Sequence, residues 1–168
     1  MADYLSSGAP RKLDFGFRPS PSGGGLYAIQ EEEFFNCCLV MLGYAPDLDD
    51  PGRVECPALV TSVGFVQFTF GYPNEEAFLK DPRGLGHGLY EIEGSTWSDA
   101  IDDYNMRSFG EPYFRWSRPL RHYFIGSKDS SCQVLAQGLT VEPLPGLSFS
   151  EVVARIPERI HDRSYGSP

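Results

Sequence analysis

The sequence predicts an α+β fold: a mainly antiparallel, curved sheet or partly closed barrel of about five strands, the usual sheet size, covered by two helices. Three observations predict it. The 12 Phe and 9 Tyr are large rings that suit strands, within a chain that is 41% hydrophobic. The 14 Pro and 18 Gly cut the chain into short elements. Alternating apolar segments of strand length recur, whereas helical spacing is clear only near residues 96–107 and 149–157. A length of 168 residues suits one domain.

In chain order, residues 1–25 are rich in Ser, Gly and Pro and predict a flexible lead. Within it, Leu13-Asp14-Phe15-Gly16-Phe17 alternates and is able to pair with a sheet edge. The single α+β domain is expected over 26–160, with a frayed tail over 161–168. Residues 26–45 are open between helix, from Glu31-Glu32-Glu33, and strand, from Cys37 to Leu42. A strand over Phe35 to Leu42 is preferred, followed by an acidic Asp-Pro-Gly loop at Asp47 to Gly52.

Leu59 to Phe70 is the clearest strand, and its two apolar faces predict a central place in the sheet. Asn74 caps a short helical turn, Glu75 to Leu79. Gly88 to Glu93 is a short strand. Ser95 or Thr96 then caps a helix whose Trp97, Ala100, Ile101 and Tyr104 form one apolar stripe. Leu120 to Ile125 and Cys132 to Val141 make a hairpin with Ile125 opposite Cys132, and Gly138 marks a bulge where the apolar phase shifts. Ser148-Phe149-Ser150-Glu151 is a capping box for a last helix, which Pro157 kinks or ends.

The formal net charge is −9, with a pI near 4.7, which disfavours nucleic acid because phosphate binding needs a basic face. It favours a basic partner or plain solubility. Cys37, Cys38, Cys56 and Cys132 form no C-x-x-C pair and no zinc spacing, so free thiols in a reducing compartment are expected. With no secretory signal pattern and no apolar run near the roughly 20 residues that span a bilayer, a cytoplasmic protein is expected, with no membrane partner.

The segments Phe70-Gly71-Tyr72-Pro73-Asn74-Glu75-Glu76-Ala77, Tyr90-Glu91-Ile92, Ser95-Thr96-Trp97, Arg121-His122-Tyr123-Phe124-Ile125 and Asp129-Ser130 carry a pattern. Over residues 65–140 the chain resembles a group of uncharacterised bacterial proteins with Gly-x-Pro-Asn-Asp-Glu, Tyr-Glu-Val, Ser-x-Trp, His-Tyr-Ile and His-Asp-Ser motifs. Lys128 stands where that pattern has a His. The resemblance supports the fold and implies no particular activity.

Candidate chemistry is weighed residue by residue. A nucleophilic Cys132 with His122 as base fails on register: His122 lies three residues along, about 10 Å away. His87, His122 and His161 show no metal-ligand spacing, so neither a metal nor another cofactor is expected. Gly84-Leu85-Gly86-His87-Gly88 precedes a strand and offers no helix N-terminus to a phosphate. Glu91 and Glu93 share a strand face about 7 Å apart, a spacing found in glycoside hydrolysis and equally in a solvated polar face.

Charge segregation is the most suggestive feature. Arg107, Arg115, Arg118 and Arg121 cluster beside Tyr113, Phe114 and Trp116, the composition of binding hot spots. The alternative is that these Arg pair with Asp99, Asp102 and Asp103 while the rings fill the core. Two functional readings result. The first is a non-catalytic, acidic protein-binding module of the immunity or inhibitor kind, with a basic protein as partner. The second is a small hydrolase or sugar-binding enzyme with a cleft near Glu91, Glu93, Trp97 and His122.

Overall fold

The computed structural model describes residues 8–21, 26–31, 36–46, 53–71, 75–110 and 119–161. The expected 47–52 loop, the Asn74 cap and the tail beyond His161 lie outside them. The strands are β1 (Ala9–Lys12), β2 (Arg18–Pro19), β3 (Leu26–Glu31), β4 (Asn36–Pro46), β5 (Arg53–Gly71), β6 (Gly88–Glu93), β7 (Arg121–Gly126) and β8 (Ser131–Pro143). The helices are α1 (Glu75–Phe78), α2 (Trp97–Phe109) and α3 (Phe149–His161).

All described strands join one antiparallel sheet in the order β1-β6-β7-β8-β5-β4-β2, with β3 also paired to β4. The α+β class, the antiparallel pairing and the two covering helices match expectation. The sheet holds eight strands because β1, β2 and β3 come from the N-terminal third. β5 is central, flanked by β4 and β8.

β1 and β2 stand at opposite ends of the strand order, yet only residues 13–17 join them. Across a flat sheet the six steps of about 4.8 Å would part them by about 29 Å; the six Cα links from Lys12 to Arg18 reach about 21 Å. The sheet therefore curls, with residues 13–17 as a strap between its edges. The expected flexible lead is corrected here over 8–21. Phe17 is only 4% exposed, and Leu13 and Phe15 pack on the same interior. Three apolar side chains inside one short segment are enough to order it.

The concave face buries Phe17, Val60, Leu89, Ile125, Cys132 and Val134. The convex face is covered in patches. α3 lays Val152 and Ile156 on Leu59. Phe78 of α1 packs with Leu85, Tyr90, Ile92 and Phe124, meeting the Phe124 ring edge-on at 4.6 Å.

The capping box forms: the Ser148 N–H donates to Glu151 Oε2 (2.7 Å) and the Glu151 N–H to Ser148 Oγ (3.3 Å). Pro157 does not end α3, which continues to His161. Proline's fixed φ is helical, and Ile156, 0% exposed, anchors the turn before it. The bulge is also displaced. Leu139 and Val141 do shift phase relative to Cys132, Val134 and Ala136, but the register slips on the neighbouring strand, between Phe65 and Gln67. Gly64, at φ 59°, lies on β5 just before this slip.

Candidate functional site

α2 is fastened to the sheet at its first turn. Ser95 Oγ accepts the Trp97 N–H (3.2 Å) and lies 2.8 Å from His122 Nδ1. His122 Nε2 lies 2.9 Å from Gln133 Oε1. With the Gln133 oxygen as acceptor, Nε2 carries the proton and Nδ1 accepts from Ser95. The Trp97 ring, fully buried, stands edge-on to the imidazole at 4.9 Å and donates its indole N–H to Gln67 Oε1 (3.1 Å). Strands β5, β7 and β8 thus meet α2 at one joint, through the turn that leaves β6.

His122 is 2% exposed, and burial, reinforced by the Arg83 charge and opposed by the Gln133 hydrogen bond, lowers its pKa to about 4. At neutral pH the ring is uncharged and both nitrogens are engaged. Such a ring positions a helix rather than moving protons.

Glu91 and Glu93 project with Leu89, Tyr123 and Ile125 toward the concave side, opposite to His122. Arg11, paired across β1 with Glu91, bonds to both carboxylates. Arg121 approaches Glu91 at 3.6 Å. Where β6 and β7 end, a cavity of about 110 Å³ touches Glu91, Glu93, Ser95, Arg121 and His122. Trp97 does not line it. Three of the four residues of the hydrolase reading therefore border one small hollow, but the carboxylates serve an ion-pair cluster and the imidazole a structural joint.

Cys132 belongs to the concave core, opposite Ile125 as expected, and His122 is on the other face. Among the described residues no group of three or more His, Cys, Asp or Glu is able to hold a metal ion. No helix among them is long and apolar enough to cross a membrane. Of the Arg and aromatic cluster, Tyr113, Phe114, Arg115, Trp116 and Arg118 lie outside the described residues. Arg107 is exposed on α2, and Arg121 belongs to the ion-pair cluster.

No known relative speaks for the site. The chain matches no protein-family model, no curated protein and no solved structure.

Sequence reasoning missed Ser95, Gln67 and Gln133 as partners of the joint, and Arg11 altogether. The correctly read hairpin register held a signal: it puts Gln133 diagonal to His122 on the same face. Arg11 sat in a segment assigned to the lead.

α2 itself is seated at one end only. Trp97 is 0% exposed, but Tyr104, on the same stripe, is 63% exposed, and Met106 and Phe109 are 45% and 62% exposed. Asp99 and Asp103, both exposed, lie on the same helix.

Proposed function

We propose that the protein is a non-catalytic binding module, of the immunity or inhibitor kind, that captures a basic protein on the outer part of α2. The observation that carries this is the half-seated helix: Tyr104 is exposed on the Trp97 stripe, and Met106, on the far side of the helix from it, is an exposed apolar side chain on the face of Asp99 and Asp103. An apolar centre with a charged rim is how specific interfaces are built. The net charge of −9 speeds encounter with a basic partner. Arg107, exposed near the end of α2, belongs to the same surface.

The hydrolase or sugar-binding alternative has less support, since Arg11 engages both Glu91 and Glu93, and His122 commits both nitrogens inside the fold. Kinship with the bacterial group resembled over 65–140 is part of the proposal. In its favour, the Ser-x-Trp and His-Tyr motifs meet in space through Ser95, Trp97 and His122. We place the function in a cytoplasm, as suits the reduced, buried thiols of Cys56 and Cys132.

The test is affinity capture from the native host, with wild type beside the double variant Asp103→Lys, Tyr104→Lys. Wild type is expected to retain a basic protein in stoichiometric amount, released by salt, and the variant to lose it. Absence of such a protein, or equal capture by the variant, overturns the proposal.

A further inference from the structure

We propose that a second site, the cavity between the strap and the start of β6, binds an amphipathic organic anion: an apolar body carrying a carboxylate. It is independent of the α2 surface and does not rest on the reading above. The cavity encloses about 520 Å³, within the roughly 300–1,000 Å³ typical of small-molecule pockets. Its walls are Leu13, Phe17, Pro19, Pro21 and Leu89. Its polar lining is Lys12, Arg18 and His87, and the described lining residues include no carboxylate. That is against the trend of a chain with 23 acidic and 14 basic side chains.

Two cationic groups that donate N–H bonds on an apolar concavity select for charge and apolar body together. Lys12 and Arg18 are both exposed, so each can swing its charge over the mouth. His87 is placed deeper. Its Nε2 atom is buried without a hydrogen-bond partner among the described residues and out of reach of water, so His87 lines the cavity with the rest of its ring and the charge of the anion falls to Lys12 and Arg18. The site's position comes from the topology. Lys12 ends β1, Arg18 begins β2 and His87 precedes β6, so the strap that spans the sheet edges also forms one wall.

The experiment uses the full chain and three probes: decanoate, 1-decanol of equal length without charge, and acetate with charge but no apolar body. Binding is followed by calorimetry and by amide chemical shifts. Decanoate is expected to bind saturably, shifting amides at 12–18 and 87–89, with decanol at least about tenfold weaker and acetate weaker still. The double variant Lys12→Met, Arg18→Met changes exposed side chains and leaves the core untouched. It is expected to weaken decanoate by about tenfold or more while leaving decanol unchanged. Leu13→Trp, which narrows the cavity, is expected to weaken both. Unsaturable decanoate binding, equal affinity for decanoate and decanol, or an unaltered decanoate affinity in the Lys12/Arg18 variant overturns the proposal.

Discussion

At the scale of the residue, His122 shows how burial turns a candidate catalyst into a structural part. An imidazole in water titrates near 6.5, and burial, opposed in part by the Gln133 hydrogen bond, lowers this one to about 4. Because the folded pKa lies below the unfolded one, the unfolded chain binds the extra proton. The stability contribution is fully present above pH 6.5 and is lost as the pH falls toward about 4. The whole effect amounts to about 3 kcal/mol. We predict that the His122 ring proton titrates near pH 4 by NMR. Unfolding free energies of wild type should fall more steeply between pH 6.5 and 4 than those of His122→Gln, by up to about 1.4 kcal/mol per pH unit. A midpoint near 6.5 would mean that the ring is solvated and the joint is not closed.

At the scale of the element, the two long helices divide the work. α3 is seated by Val152 and Ile156 and started by a reciprocal cap, whereas α2 is seated by Trp97 and then leaves the sheet. Ser148 and Glu151 lie at the surface, so their contribution is readable without core rearrangement. Ser148→Ala is predicted to cost about 1 kcal/mol in chemical unfolding. A double-mutant cycle with Glu151→Ala should be less than additive, since either change breaks the same box. Strict additivity would mean that the two side chains act separately. This cap was legible in the sequence because it is local: four residues contain all of it. So were β6, with its bounds, and the hairpin register of Ile125 against Cys132, each set by turn residues next to alternating runs. Features that depend on a neighbour strand were not legible. The apolar phase shift along β8 is visible in sequence, but that the extra residue lies on β5, between Phe65 and Gln67, is not. Likewise, Tyr104 fits the stripe of α2 by spacing, and nothing in the spacing tells that the sheet ends beneath it. The site obeys the same rule: His122 and Trp97 stood out as residue types, while the partners that define their role come from β5, β8 and the turn that caps α2.

At the scale of the whole molecule, the N-terminal segment governs the curl. β1 covers the outer side of β6, β2 pairs with β4, and the strap between them seals Phe17 into the concave core. Unpaired sheet edges invite association, and this segment covers two of them. The closure is tight at Gly43, opposite Pro19 on β4. A Cβ there would stand 2.2 Å from the Arg18 carbonyl oxygen and 2.3 Å from the Phe17 ring, and the first of these is backbone that has no rotamer with which to yield. Gly43→Ala is therefore predicted to push β2 off β4 and unseat Phe17, at a cost of about 3 kcal/mol, near that of emptying the Phe17 site by Phe17→Ala. The two variants differ in their effect on association. Phe17→Ala leaves β2 paired and should keep the association state of the wild type. Gly43→Ala frees the Gly43–Tyr44 end of the β4 edge, beyond the part β3 covers, and should self-associate with rising concentration, which sedimentation would detect. Gly43→Ala with wild-type stability would show that β2 is not held against β4, and the strap would then lose its part in closing the sheet.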